Sequence, residues 1–220
     1  IKDPGRLKLG GEKRVITIYF SDLAKFSTIS EGLSPEELTR LLNEYLSAMT
    51  DIILEEGGTI DKYEGDAIIA FWNAPQDQPD HAERALRASL RCQETLAALQ
   101  SHFQKTAGRE MSQRIGLNTG PAVVGNMGSR SRFDYTMLGD AVNLASRLEG
   151  ANKVYGTGIM ASQATIEAAG GAFFGRELGL LQVVGRKEPT MVIEPMRPET
   201  IAARAALLET FAQALNAFKA

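Results

Sequence analysis

The chain has 220 residues, 24 of them basic and 27 acidic, and its formal net charge is −3. This length suffices for one domain with a sizeable core, and so balanced a charge argues against nucleic acid or an anionic membrane surface as a partner. The single cysteine, Cys92, excludes an internal disulfide and any multi-thiolate metal site, and it fits a reducing, cytoplasmic location. The longest apolar runs, such as Val15–Phe20, are strand-sized, so we expect no membrane segment in this sequence.

The first half of the chain shows a strand, a long helix and a strand hairpin. Residues 1–13 are rich in Gly, Pro and charge and are interpreted as a linker. The β-branched run Val15–Phe20 predicts a buried strand, and Ser34-Pro35-Glu36-Glu37 is typical of a helix start. That helix should end at Gly57-Gly58, before two strands over Thr59–Tyr63 and Ala67–Trp72.

The second half continues the alternation of helices and strands. A helix is predicted from Asp80 to about Thr106, followed by a strand pair that turns at Asn118–Pro121. Asp140 is predicted as the N-cap of a helix that carries Asn143 and Arg147 on one face. Shorter elements follow, at about Ile159, Ser162–Ala168, Leu178–Val184 and Met191–Pro195, and an Ala/Leu-rich helical tail covers Glu199–Phe218.

These elements predict an α+β fold. The tight hairpins favour an antiparallel-leaning sheet with helices on one side of it. The apolar face of the helical tail, which includes Leu208 and Phe211, requires a partner surface, and the tail is interpreted as a connector.

Two aspartates occupy positions typical of a metal site. Asp22 follows the first strand and Asp66 lies in the turn of the hairpin, so the two carboxylates converge if those strands pair. Hard oxygen ligands without nearby His or Cys favour Mg²⁺ or Mn²⁺, which is usually held by one or two carboxylates together with substrate phosphates. Taken singly, Asp22 is better explained as a helix cap and Asp66 as a turn residue.

Three further side chains suit an anionic ligand. Arg114 alternates with Gly116 and Asn118 on one face of its strand, from which it could reach a phosphate or simply pair at an edge. Asn143 and Arg147 are four residues apart, and a carboxamide and a guanidinium on one helix face suit an anion whose charge changes. The alternative is an ordinary solvated helix face.

Several other kinds of site are excluded. The glycines form neither a P-loop nor a dinucleotide fingerprint. The two histidines, His81 and His102, both lie in the second long helix, so no Ser-His-Asp or Cys-His set can be assembled. Cys92 is interpreted as a packing residue.

Five motifs together resemble the class III nucleotidyl cyclase catalytic domain. They share the family's order and spacing, and they are Phe20-Ser21-Asp22, Lys62-Tyr63-Glu64-Gly65-Asp66, Arg114-Ile115-Gly116-Leu117-Asn118-Thr119-Gly120, Tyr135-Thr136-Met137-Leu138-Gly139-Asp140 and Val142-Asn143-Leu144-Ala145-Ser146-Arg147. The resemblance covers residues 14–196 and leaves 197–220 as a C-terminal helix or connector. It implies a ferredoxin-like βαββαβ core with additional strands and helices, and active sites shared across a head-to-tail homodimer.

The resemblance also implies a role for each matched residue. Asp22 and Asp66, with the backbone carbonyl of Leu23, would hold two Mg²⁺ or Mn²⁺ ions per active site. Arg114 would face the terminal phosphates, and Arg186 would replace the family's usual phosphate-binding lysine, with Lys187 able to share that role. The partner protomer would supply four residues: Lys62 and Thr136 to read the purine, Asn143 to orient the ribose, and Arg147 to stabilise charge on the α-phosphate.

The purine-reading pair favours ATP as the substrate. Lys62 can donate to N1 of adenine and Thr136 can accept from the 6-amino group, whereas guanine presents donors at N1 and at its 2-amino group. Because a threonine hydroxyl can both donate and accept, the second contact is the more permissive one. We therefore expect an adenylate cyclase, with a regulatory domain in a longer protein. The alternatives are a guanylate cyclase and an inactive cyclase-like domain that serves dimerisation or regulation.

Overall fold

The computed structural model describes residues 9–129, 131–182 and 188–219. Its strands are β1 (Gly10–Leu23), β2 (Thr59–Glu64), β3 (Ala67–Trp72), β4 (Gln113–Gly128), β5 (Phe133–Leu138), β6 (Ile159–Ser162), β7 (Phe174–Leu181) and β8 (Thr190–Met196). Its helices are α1 (Phe26–Ser30), α2 (Pro35–Glu55), α3 (His81–Ala98), α4 (Gln100–Ala107), α5 (Asp140–Tyr155), α6 (Gln163–Ala168), α7 (Pro198–Ala203) and α8 (Ala205–Lys219).

The strands form one eight-stranded sheet in the order β2-β3-β1-β4-β6-β8-β7, with β5 paired to β4. Every pairing is antiparallel except that of β4 with β6. Strands β1 to β4, with α2 and α3 as their two crossovers, form the predicted ferredoxin-like βαββαβ core. The α+β prediction is therefore confirmed.

Helices cover both faces of this sheet, contrary to the prediction that they lie on one side. Tyr19, Ile115 and Leu117 belong to a buried cluster with residues of α2 and α3. Ile16 and Ile18, which alternate with Tyr19, pack with residues of β5 and α5 on the opposite face. The alternation of side chains along a strand makes β1 and β4 apolar on both faces, so two layers of cover are required.

Three predicted element boundaries are wrong. β1 begins at Gly10, inside the predicted linker, and the second long helix is interrupted at Leu99 between α3 and α4. The predicted turn at Asn118–Pro121 is continuous strand, because these residues pair with Thr17, Ile18 and their neighbours on β1. Pro121 is tolerated since β6 pairs only with residues 115–117 of β4 and β5 only with 123–128, which leaves one side of the strand without a neighbour at this point.

The start of α2 and the packing of the helical tail agree with the sequence analysis, although the tail is divided at Arg204 into α7 and α8. Ser34 forms a capping box with Glu37 at the start of α2. In the helical tail, Phe211 of α8 packs beneath the guanidinium of Arg176 on β7, 4.5 Å from the ring centroid. The tail therefore finds the partner surface that its apolar face requires within the same chain.

Candidate active site

The two predicted metal ligands lie together where the end of β1 meets the β2–β3 turn. β1 pairs with β3 up to Ser21 and Ile68, so the end of β1 lies beside the β2–β3 turn. Gly65 takes a left-handed conformation in that turn, with φ at +64°, and the turn presents Asp66 toward β1. The amide of Leu23 then donates a hydrogen bond to Asp66 Oδ2 over 2.9 Å.

The carboxylate of Asp22 acts on that of Asp66. Burial and the adjacent Asp22 raise the pKa of Asp66 to about 7, against the opposing hydrogen bond from the Leu23 amide. Two carboxylates held this close favour a cation between them, so the donor set fits a hard divalent ion. Across the described ranges no cluster of three or more His, Cys, Asp or Glu side chains is suited to hold a metal.

Arg114 joins this group from β4. It lies opposite Asp22 in the β1–β4 register, and one of its terminal guanidinium nitrogens lies 2.8 Å from Asp22 Oδ2. Its Nε donates to Glu149 Oε1 of α5 over 2.9 Å. Burial raises the pKa of Glu149, and the Arg114 guanidinium acts against that rise. Glu149 was not predicted as a site residue.

Helix α5 approaches the sheet closely because β4 carries Gly116 beneath it. A Cβ atom at position 116 would lie 2.2 Å from the backbone nitrogen of Glu149 and 2.3 Å from the carbonyl oxygen of Ala145. The sheet-facing position of Ala145 is the signal that could have identified Glu149, since residues four apart share a helix face.

Asn143 and Arg147 share the outer face of α5, as predicted, and both are exposed. The helix begins at Asp140, and its N-cap is Gly139, with φ at +149°. Asp140 is therefore the first helical residue rather than the predicted cap, although its carboxylate still lies in the positively polarised first turn. The exposed pair is available to a ligand or to a second protomer.

Lys62 and Thr136 are joined through a residue that the sequence analysis missed. The Thr136 hydroxyl donates to Asp61 Oδ2 over 2.7 Å, and the Lys62 ammonium lies 3.7 Å from Asp61 Oδ1. Burial raises the pKa of Asp61, and Thr136 and Lys62 act against that rise. The strand β5 thus reaches β2 across the face that carries Asp22 and Arg114.

The other residues considered in the sequence analysis are not among the described residues of this site. Arg186 and Lys187 lie outside the described residues. His81 hydrogen-bonds Thr17 over 2.7 Å in a partly buried position, and Cys92 is buried, which raises the pKa of its thiol to about 12. Neither is placed as a base or nucleophile. None of the described helices combines the length and apolar character needed to cross a membrane.

Comparisons with known proteins agree with this fold. Residues 11–193 match the model of the family described as "Adenylate and Guanylate cyclase catalytic domain". The chain is 40% identical over 182 residues to adenylate cyclase 1 of Rhizobium meliloti, covering 83% of this chain and 27% of that protein. It is 38% identical to adenylate cyclase of Anabaena cylindrica, covering 70% of this chain and 30% of the relative. The chain thus spans under a third of the length of these relatives.

Solved structures show the same fold. The guanylyl cyclase Cya2 superposes with a TM-score of 0.80 at 38% identity, covering 86% of this chain and 95% of that one. The adenylyl cyclase CyaB from P. aeruginosa gives a TM-score of 0.79 at 33% identity, covering 86% and 96%. With the family model matching most of its length, this chain belongs to the adenylate and guanylate cyclase catalytic domain family.

Proposed function

We propose that this chain is the catalytic domain of an adenylate cyclase, which converts ATP into 3′,5′-cyclic AMP and pyrophosphate. Overall sequence identity does not distinguish ATP from GTP as the substrate, because a guanylyl cyclase and an adenylate cyclase are both 38% identical to the chain. The observation that carries the proposal is the pairing of Lys62 with Thr136 through Asp61. Lys62 donates to N1 of adenine and Thr136 accepts from its 6-amino group, whereas guanine would leave buried donors unpaired.

Proteins of this family generally use divalent metal ions. Asp22, Asp66 and the backbone carbonyl of Leu23 would hold two Mg²⁺ or Mn²⁺ ions in each site. When bound, these ions lower the pKa of the ribose 3′-hydroxyl and neutralise charge on the phosphates. The mutual proximity of Asp22 and Asp66 supports this assignment.

The chain's own residues position the reacting groups. Arg114 binds the terminal phosphates, with Arg186 as a second phosphate ligand. Asn143 orients the ribose, and Arg147 stabilises the negative charge that develops on the α-phosphate. The 3′ oxygen attacks the α-phosphorus in line, so the O3′–P bond forms as the bond to the pyrophosphate oxygen breaks.

The catalytic domain of this family is usually dimeric. We place each active site between two protomers in a head-to-tail homodimer. Asp22, Asp66 and Arg114 come from one protomer, and Lys62, Thr136, Asn143 and Arg147 from the other. The exposure of Asn143 and Arg147 on the outer face of α5 supports a role toward a second chain.

Product analysis tests this function directly. Purified protein is incubated with ATP or GTP and with Mg²⁺ or Mn²⁺ at several protein concentrations. We expect cyclic AMP, with a specific activity that rises with protein concentration as dimers form. Cyclic GMP as the main product would overturn the reading of Lys62 and Thr136, and no product under any condition would favour the inactive, regulatory alternative.

A further inference from the structure

Asp61 occupies a β-bulge in β2. Ile60 pairs with Ala70 and Lys62 pairs with Ile69, so Asp61 is one extra residue opposite no partner on β3. Ile60 packs with the core beneath α2, and the Tyr63 hydroxyl lies 2.9 Å from Thr50 of the same helix. The bulge therefore places both Asp61 and Lys62 on the opposite face, where a regular strand would place only one of two successive residues.

The Asp61 side chain is buried much more deeply than that of its neighbour Lys62. It is 4% exposed, whereas Lys62 is 43% exposed. Oδ2 accepts the Thr136 hydroxyl, but Oδ1 is buried and has no hydrogen-bond partner in the described part of the chain. Burying a carboxylate that is not fully hydrogen-bonded costs stability, so its presence here calls for a functional explanation.

We infer that Asp61 is a positioning residue that makes the base pocket selective for adenine by fixing the proton of the Thr136 hydroxyl. A hydroxyl has one proton, and an ionised carboxylate can only accept. With that proton committed to Asp61, Thr136 presents only lone pairs to the base. It then accepts from the 6-amino group of adenine but repels the 6-oxo group of guanine, which is itself an acceptor.

This inference removes the ambiguity that the sequence left at Thr136, and it rests on the proposed role of Thr136 in the base pocket. Lys62, 3.7 Å from Asp61, favours the ionised form of the carboxylate on which the argument depends. A purely structural role for Asp61, as a tie between β2 and β5, would make no distinction between ATP and GTP.

The test is a double-mutant cycle read as the ratio of kcat/KM for ATP to that for GTP. The proteins are the unaltered chain, Asp61→Ala, Thr136→Val and the double variant. We expect Asp61→Ala to lower the ATP-to-GTP ratio by about tenfold, because the freed hydroxyl can rotate and donate to the 6-oxo group. In the Thr136→Val background the same substitution should leave the ratio unchanged, since no hydroxyl remains to be oriented.

Asp134→Ala is the matched control. Asp134 lies on β5 two residues before Thr136, its charge acts on Asp61, and its removal changes the local charge by the same amount. We expect this variant to keep the ratio of the unaltered chain. An equal fall in both variants would show an effect of charge alone and would overturn the inference.

The remaining outcomes separate this inference from the proposed function. If Thr136→Val leaves the ratio unchanged, the assignment of the base pocket itself fails. If Thr136→Val alters the ratio and Asp61→Ala does not, or alters it equally in both backgrounds, only the role of Asp61 fails. Thermal unfolding checks the fold of each variant, and Asp61→Ser, too short to reach Thr136, repeats the test if Asp61→Ala does not fold.

Discussion

Arg114 lies between two carboxylates, and only one of them belongs to the proposed metal site. Its contact with Asp22 engages a carboxylate of the proposed metal site, whereas its contact with Glu149 draws the guanidinium toward α5. All three side chains are at least partly buried, so these interactions are screened less than those of surface pairs. In the proposed metal site, Glu149 would therefore limit the competition between Arg114 and a metal for Asp22.

Replacing Glu149 by Gln should weaken metal binding. The neutral amide attracts Arg114 less, so the guanidinium pairs more fully with Asp22. We expect the Mn²⁺ concentration for half-maximal activity to rise by about three- to tenfold, the equivalent of roughly 1 kcal/mol. Glu94→Gln, which alters an exposed pair with Arg197, is the control and should leave the titration unchanged. An unchanged Mn²⁺ dependence in Glu149→Gln would show that Arg114 and the metal do not compete.

Arg147→Ala should separate catalysis from binding. Because the side chain is exposed and is proposed to act on charge that develops in the transition state, its loss should lower kcat by a factor on the order of 100 or more, with KM for ATP little changed. Steady-state kinetics at saturating metal provides the measurement. A parallel loss of ATP binding would contradict the transition-state role.

Among the elements, α5 packs directly over Gly116 of β4. Gly116→Ala would bring a Cβ within 2.3 Å of backbone atoms of α5, and backbone atoms cannot rotate away. We expect a loss of about 2–3 kcal/mol of unfolding free energy and a loss of activity, because Asn143 and Arg147 move with the helix. Denaturant unfolding measures the first and a cyclase assay the second.

Gly150→Ala, on α5 itself, is the matched control for that substitution. A Cβ at position 150 would meet nothing within 4 Å. Here alanine should stabilise the protein by about 0.5–1 kcal/mol, because it restricts the unfolded chain and favours the helix. Equal destabilisation by the two substitutions would show that the contact at Gly116 is not the cause.

The sequence predicts the elements of the core well and their long-range details poorly. Hydrophobic periodicity and the Ser34 capping box are local signals, and α2 begins and ends accordingly. Pairing with β1 makes Asn118–Pro121 a strand despite their turn-forming composition, because tertiary contacts override local propensity. The bulge at Asp61 depends on the register with β3 and leaves no local signal, so Asp61 could not be found from the sequence.

At the scale of the whole fold, an ion cluster between the end of α2 and α3 stabilises the packing of these two helices. Glu56, 8% exposed, accepts hydrogen bonds from Arg87 and Arg91, each over 2.8 Å. Burial alone would raise the pKa of Glu56, but the two guanidinium groups outweigh it and hold the pKa below its usual range. A carboxyl whose pKa is lowered in the folded state stabilises the fold above its unfolded pKa, and that contribution is lost as the pH falls through the folded pKa.

Glu56→Gln should therefore destabilise the protein in a pH-dependent manner. Between about pH 5 and 8 we expect a constant loss of roughly 1–3 kcal/mol, since two charge-assisted hydrogen bonds are weakened. As the pH falls through the lowered pKa of Glu56 and its carboxyl becomes protonated, the difference from the unaltered chain should shrink. Urea unfolding across this range tests the sign. A difference that grows toward low pH would contradict the assignment.

At the scale of the assembled molecule, a mixing experiment tests whether the active site is shared. Asp66→Ala and Arg147→Ala should each be inactive alone. An equal mixture should recover about a quarter of full activity, because half of the dimers combine the two chains and each such dimer has one intact site. Absence of recovery, with heterodimers demonstrated by a tag on one chain, would place Asp66 and Arg147 in the same protomer's site.

Strand β4 carries Arg114 near one end and, toward the other, Gly125, which pairs with Thr136 of the base pocket. In the proposed dimer these two ends belong to different catalytic sites. A single stretch of hydrogen-bonded backbone therefore connects Arg114, which binds phosphate in one site, to the base pocket of the other site. A strand paired along its length resists stretching, and a shift at one end is delivered to the other. Occupation of one site would then shift the backbone at the other, which would give the proposed dimer a route to cooperativity between its two substrate molecules.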